Sequence, residues 1–321
     1  MLSIKFGVIA LYTIEGLRYR LKKIREGHMT HYEFVLSCWD RLLLTLTGKR
    51  GNYCNAHRVL RKTKKYKPFL EKKSDGLHIK DIRLPLLERD YENLLIDAIF
   101  EDTYWSYAAC NDKYDEQTFD MCDKFLGEGL YGLVNDKVNV TVQPGDIVID
   151  AGAWIGDFAA YASVRGAKVY AFEPTLKTFA YLEETARLNG NIIPVRKGLS
   201  DENTSTVLFE NVTGNSGANT LIDRTANKMM SSYSVETIRL DDFVRENNLP
   251  RVDFIKADIE GFERHMLEGA QETLRRFAPK LALCTYHLPD DPEVMASLIL
   301  KANPRYNIVQ KRKKLFASVP D

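Results

Sequence analysis

Asp150-Ala-Gly152-Ala-Trp154-Ile-Gly156 follows the apolar run Ile147-Val-Ile149 and leads into the helical pattern DFAAYASVRG. A glycine-rich turn between a strand and a helix lets a ligand approach the backbone N–H groups at the helix N-terminus. Asp150 stands where a dinucleotide-binding turn has its first glycine. Its carboxylate would repel a pyrophosphate. The sulfonium and ammonium of S-adenosylmethionine (SAM) are cationic and suit it, and the methionyl carboxylate of SAM can face the helix N–H groups. Glu173, in Ala171-Phe172-Glu173-Pro174, follows Asp150 by 23 positions and ends the next β-rich run. An acidic group there can accept hydrogen bonds from ribose hydroxyls. Taken singly, Asp150 and Glu173 also fit a tight turn and a helix cap; on successive strands they reinforce one another as a cofactor site.

Three further groups fall at strand ends. Gly198-Leu199-Ser200-Asp201 closes a third β-rich run, NIIPVRKGLSD, and Asp258-Ile259-Glu260-Gly261 closes a fourth, RVDFIKAD. His287 follows a fifth, KLALCTYH. Ligands of open α/β sheets bind outside the carboxyl ends of the strands, so these residues converge by topology despite their separation in sequence. His287, with an ordinary pKa near 6.5, suits a general base, and Asp258 is the alternative. No metal is expected, although Asp258, Glu260 and His287 are ligand types that could gather a divalent cation. Glu260 reads as a cap of the following helix and Glu263 as a residue of its first turn. Trp154 and Tyr131 fit either packing or stacking on a ring, and the loop residues Asn215, Ser216, Asn219 and Thr220 suit a polar substrate or an ordinary surface loop.

The elements that must position these groups are strands alternating with helices from about residue 136 to residue 321, which predicts a doubly wound, mostly parallel α/β sheet. The stretch FERHMLEGAQETLRRF, apolar at 262, 266, 267, 270, 274 and 277, reads as one helix with a buried stripe. The hairpin-like NIVQKRKKLFASV predicts two closing strands with an antiparallel edge, and TSTVLFE and YSVETIRLDDF flank a lid or hairpin. Residues 1–135 predict a mainly helical lobe without a run of strands, serving substrate selection, oligomerisation or contact with a membrane surface. Its first 29 residues read as a helix packed on the protein, with an interfacial helix on an anionic membrane as the alternative.

Composition bounds the class. With 45 Lys+Arg against 44 Asp+Glu and 45% hydrophobic residues, the chain can bury a large core, and it is not built as a general polyanion binder. The average conceals ten Lys/Arg and one Glu at 49–73 and eight Asp/Glu and two Lys at 101–130. These are solvated faces or a site for an anionic acceptor. Nucleic acid is disfavoured, since no recognition motif accompanies the basic stretch. Five scattered cysteines form no CxxC pair and predict free thiols in a reducing compartment. The expected place is the cytoplasm, with the inner face of a membrane as the alternative.

VIDAGAWIGDFAAYA, VYAFEP, the GLSD run, TIRLDDF and VDFIKADIEGFERHMLEGA together resemble the FkbM-type SAM-dependent methyltransferases, over roughly residues 132–310. The resemblance implies a Rossmann-like class I methyltransferase fold with SAM as cofactor. It implies that Asp150, Gly152, Gly156, Glu173 and Ser200, with their neighbours Ala153, Pro174 and Leu199, line the cofactor, and that Asp258 lies near the donor methyl. The implied reaction is O-methylation of a hydroxyl on a sugar, glycan or other natural product, anionic or lipid-linked acceptors included. A nitrogen or carboxylate acceptor and a non-catalytic SAM-fold module are the alternatives. Many relatives carry Glu and His at the fifth strand end; Cys284-Thr285-Tyr286-His287 lacks the acid, so only His287 carries over.

Overall fold

The computed structural model describes Val35 and residues 71–79, 81–88, 91–92, 95, 131–211, 221, 230–311 and 313–320. The chain divides into two units, Met1–Lys67 and Pro68–Asp321, and apart from Val35 the described residues belong to the second. The expected N-terminal helix, the charged segments at 49–70 and 101–130, and Asn215, Ser216, Asn219 and Thr220 lie outside the described residues. No helix among the described residues is long and apolar enough to cross a membrane.

One expectation for the first 135 residues is corrected. Three short strands, β1 (Glu71–Lys73), β2 (Gly76–Ile79) and β3 (Ile82–Leu84), form an antiparallel meander where a helical lobe without strands was expected. The alternation Leu77-His-Ile79 and Ile82-Arg-Leu84 places fully or almost fully buried aliphatics on one face, a period-two signal too short to stand out in the sequence. A second pair, β4 (Leu133–Val134) and β5 (Asn139–Val140), is joined by a turn in which Asn135 Oδ1 accepts the N–H groups of Lys137 and Val138 at 2.9 Å.

The main sheet is built from runs buried on both faces, as a parallel sheet covered by helices requires. Its strands are β6 (Ile147–Ala151), β7 (Lys168–Phe172), β8 (Ile192–Val195), β12 (Phe254–Ala257), β13 (Lys280–Cys284), β14 (Asn307–Lys311) and β15 (Lys314–Ser318). Their order is β14-β15-β13-β12-β6-β7-β8. β15 alone runs against the direction shared by the other six strands, and it lies one place in from the edge, between β13 and β14. From β6 the chain proceeds outward to β7 and β8, then crosses back to β12 on the other side of β6. That reversal opens a crevice at the carboxyl ends of β6 and β12.

Helices α1 (Asp157–Val164), α2 (Leu176–Asn189), α3 (Leu240–Glu246), α4 (Glu263–Glu268), α5 (Gln271–Phe277) and α6 (Asp291–Ala302) cover the sheet. β3 packs against α1 and α2, and Asn189 both accepts the Arg83 N–H and donates to the Arg83 carbonyl. The meander is thereby part of the α/β unit. Gly156 starts α1 at φ +87, and a Cβ there would lie 2.8 Å from Leu182 and 2.9 Å from Thr185, so it serves the contact of α1 with α2.

Two strand and helix assignments differ from expectation. Gly198-Leu199 does not end β8; it is a separate strand, β9 (Gly198–Leu199), parallel to β11 (Met230–Ile238), which in turn pairs with β10 (Ser205–Asn211). The hairpin beside the site is present as β10 and β11. The single helix expected over 262–277 is two, α4 and α5, broken at Gly269-Ala270. The break follows from close packing: a Cβ at Gly269 would lie 2.0 Å from the Ser200 carbonyl oxygen. The Gly269 carbonyl accepts the Asp241 N–H, and the Asp241 carboxylate caps α5 by accepting from Glu272 N and Thr273 N. The buried stripe survives the break, with Met266, Leu267, Ala270 and Leu274 all fully buried. Gly269→Ala is expected to lower stability by about 2 kcal/mol or more through this backbone collision, seen as a fall in the urea midpoint at unchanged slope.

Candidate active site

The turn after β6 is fixed from below. Asp150 and Lys256 are register partners on β6 and β12, and Lys256 Nζ lies 2.9 Å from Asp150 Oδ1 with both side chains sealed from solvent. Nζ also donates to the carbonyls of Gly152 at 2.6 Å and Ala151 at 3.3 Å. Burial opposes the Lys256 charge, but Asp150, Asp258 and Asp157 outweigh it and hold the ammonium above its ordinary pKa. Asp150 is therefore the buried counter-ion of Lys256, and it does not line the crevice as expected: the alternation of β6 turns it into the sheet interior. Gly152, at φ +71, approaches the Asp258 carbonyl so closely that a Cβ would lie 2.0 Å from its oxygen. The Asp258 N–H donates to Ala151, so the two strand ends meet over the ion pair.

Above them is a cleft with about 590 Å³ of atom-free space, part of it open to solvent. Gly152, Trp154, Glu173, Pro174, Leu199 and Asp258 line it, as do Phe172, Leu208, Leu221, Ile259 and Phe262, which supply an apolar wall. Ala153, Gly156 and Ser200 do not line it. Ala153 is buried with its N–H on the Phe172 carbonyl, Gly156 serves helix packing, and the Ser200 hydroxyl donates to Asp201 at 2.9 Å. Glu173 Oε1 accepts from Thr175 N at 2.8 Å and Thr178 Oγ1 at 3.1 Å, Oε2 accepts Trp154 N at 3.0 Å, and the Thr175 side chain donates to the same carboxylate. Burial pushes this carboxyl up and those donors oppose the shift. Trp154, at φ +49, is stacked with Tyr91 at 6.1 Å between ring centroids.

At the β12 and β13 end, Asp258 gathers groups from three parts of the chain. Tyr131 donates to Oδ2 at 2.9 Å and Tyr286 to Oδ1 at 3.0 Å, while His287 Nε2 lies 3.7 Å from Oδ1. Burial opposes the Asp258 charge, but Lys256, His287, Lys314 and Tyr131 hold its carboxyl below the usual range. His287 Nε2 is 3.4 Å from Glu260 Oε1, and Nδ1 is 3.1 Å from the fully buried Glu263. Burial would lower the imidazole pKa, yet the Glu260 and Glu263 carboxylates raise it to about 10. His287 is thus a cation at neutral pH, which corrects the expectation of a neutral base. Glu263 accepts the N–H groups of Ile259 and Gly261, and Glu260 faces His287 from a backbone at φ +54 and caps no helix. Lys256 had no role assigned from sequence; an apolar strand interrupted by one lysine, in register with an interrupting aspartate, was the available signal. Tyr286 gave none.

The strand order, with its one antiparallel strand, and the crevice at the β6 and β12 ends define a Rossmann-like methyltransferase fold. Residues 150–306 match the Methyltransferase FkbM domain. Among curated proteins, it is 28% identical over 161 residues to the hexuronic acid methyltransferase AglP of Haloferax volcanii, covering 50% of this chain and 64% of that one. It is 26% identical over 162 residues to the 31-O-demethyl-FK506 methyltransferase FkbM of Streptomyces tacrolimicus, covering 41% and 62%. The chain therefore spans less than two thirds of these relatives. The crystal structure of methyltransferase FkbM from Methylobacillus flagellatus matches with a TM-score of 0.42 and 18% identity, over 71% of this chain and 60% of that one.

Lys256→Met, which leaves Asp150 buried without its partner, is expected to cost about 3–5 kcal/mol, and adding Asp150→Leu to recover most of the loss; urea unfolding of the two variants checks both. A second expectation concerns pH. Burial pushes the Asp157 carboxyl at the start of α1 up to about 6, against the opposing pull of Lys256. Its folded pKa lies above the unfolded value of about 3.9, so the stability it contributes is present below that value and is lost as pH rises through about 6. Asp157→Asn should raise stability by about 1–2 kcal/mol near pH 7.5 and by much less near pH 5, read from thermal melts at both.

Proposed function

We propose that the protein is a SAM-dependent methyltransferase acting on a hydroxyl of a sugar, glycan or other natural product. The observation that carries the reading is the cleft at the β6 and β12 strand ends, with Gly152 at its floor, Glu173 on one wall and Asp258 at its far end. The residues fit the cofactor. Glu173 puts a carboxylate on the cleft wall where a ribose hydroxyl can reach it, Phe172, Leu199 and Leu208 offer an apolar surface for a purine, and the bare backbone of Gly152 leaves room for close approach. SAM supplies a methyl group already activated by its sulfonium.

The chain's own residues then bind, orient and exclude water. Lys256 holds the Gly152 carbonyl and so sets the floor of the cleft. Asp258, kept ionised and steered by two tyrosines, presents a carboxylate that can accept a hydrogen bond from the acceptor hydroxyl, orient its oxygen toward the methyl, and take the hydroxyl proton as the new C–O bond forms and the C–S bond breaks, passing it on to solvent afterwards. His287, as a cation, fixes that carboxylate and does not take the proton. Sugar acceptors draw support from the Haloferax relative, whose name specifies hexuronic acid. Lys313 and Lys314, stacked over Tyr286 and Tyr131 at 5.0 and 4.4 Å, put positive charge beside the Asp258 end, which suits an anionic sugar. On this reading the acceptors are small molecules or glycans.

Calorimetry with SAM on the purified chain should show saturable binding, and Glu173→Gln should weaken it about tenfold with the melting temperature little changed. Unchanged affinity in that variant would remove Glu173 from the site. A mass-spectrometric screen of uronic acids, neutral sugars and hydroxylated metabolites with SAM should return a one-methyl mass gain on a hydroxyl; gain on nitrogen alone would overturn the acceptor class.

A further inference from the structure

We propose that Asp258, Glu260 and His287 form a site for a divalent cation of the Mg²⁺ or Mn²⁺ class at the end of the cleft. One ligand atom from each lies within 4.8 Å of the others. The His287 side chain is 3% exposed, and neither ring nitrogen makes an aligned hydrogen bond. Its Nε2 points into the gap between Glu260 Oε1 at 3.4 Å and Asp258 Oδ1 at 3.7 Å, and a bound cation would take the place of the Nε2 proton, which leaves to solvent. Ligands about 2.1 Å from a small octahedral cation stand about 3 Å apart, so a modest contraction of this gap would close the three atoms around one ion.

The surroundings have the form that metal-ligating imidazoles require. A carboxylate or carbonyl on the opposite ring nitrogen fixes the orientation of such a histidine. Here Glu263 stands 3.1 Å from Nδ1 and is itself immobilised by the Ile259 and Gly261 N–H groups at 2.9 and 3.0 Å. Tyr131 and Tyr286 aim the Asp258 carboxylate in the same way. Among the described residues, two other groupings of ligand-type residues have less to offer. Asp291, near Glu263 and His287, is occupied by Arg264 and the Leu288 N–H. Asp201, His265 and Glu268 lie together nearer the surface.

Asp258 and Glu260 line the cleft, so a cation there has open coordination positions facing it. On the methyl-transfer reading, on which this part of the inference rests, an acceptor hydroxyl takes one of those positions. A hexuronic acid or a vicinal diol could supply two oxygens to the ion at once.

Mn²⁺ alone is the probe, titrated into the full chain and read by electron paramagnetic resonance, with SAM calorimetry run in parallel. One Mn²⁺ per chain is expected, with affinity lowered about 10–100-fold in Glu260→Gln and in His287→Gln and unchanged in Asp201→Asn. Thermal melts establish that each variant is folded, and Glu260→Gln, on the cleft wall, carries the test if the buried His287→Gln is not. Absence of Mn²⁺ binding up to about 1 mM, or equal binding by wild type and a folded Glu260→Gln, overturns the site. SAM binding without Mn²⁺ binding rejects the cation site and keeps the methyl-transfer reading. Mn²⁺ binding that depends on Glu260, without SAM binding, does the reverse.

Discussion

The contact between Lys256 and Asp150 is the constraint on which the site depends. It joins the two strands that flank the topological reversal, and the same ammonium holds the carbonyls of Ala151 and Gly152. A buried ion pair is seldom a net source of stability compared with apolar residues of the same size. Its value here is positional. It fixes the height and direction of the turn from which Trp154 N reaches Glu173, and it sets the distance between that wall and Asp258. Moving either strand end would alter both walls together.

The second organising feature is a chain of charges that runs from the interior to the cleft. Asp150 faces Lys256, Lys256 influences Asp258, and Asp258 approaches His287, which stands between Glu260 and Glu263. Opposite signs alternate, so each group stabilises the ionised form of its neighbour against the cost of burial. The glutamate of the 258–261 turn and the buried glutamate of α4 therefore belong to the site, although as sequence they resemble ordinary helix-start residues.

Much of this was legible in the sequence, for definite physical reasons. Long runs buried on both faces, such as Ile147–Ala151 and Lys280–Cys284, announce parallel strands, and the acidic ends at 173 and 258 fall where the topology makes a crevice. Other features depend on partners distant in the chain. Nothing local distinguishes Asp150 as the counter-ion of Lys256 from Asp150 as a ligand contact, because the answer lies in strand register. The charge of His287 depends on Glu260 and Glu263, some two dozen residues earlier. The break at Gly269 depends on the Ser200 carbonyl, and helical periodicity passes straight through it. The meander at 71–84 is not legible in the sequence, because three-residue strands carry too few alternations to read.

The placement of β15 has a consequence for the order of assembly. Its residues, 314–318, follow the other strands of this sheet in sequence, yet it occupies an inner position between β13 and β14. During synthesis the flank of β13 must stay unpaired until that segment emerges. The local β14 and β15 hairpin can then form and dock as a unit, since its contacts are short in sequence. Lys314, whose charge bears on Asp258, arrives with it. A nascent chain could therefore fold much of the sheet around β6, β7, β8 and β12 while the cleft at their ends still lacked part of its electrostatic balance.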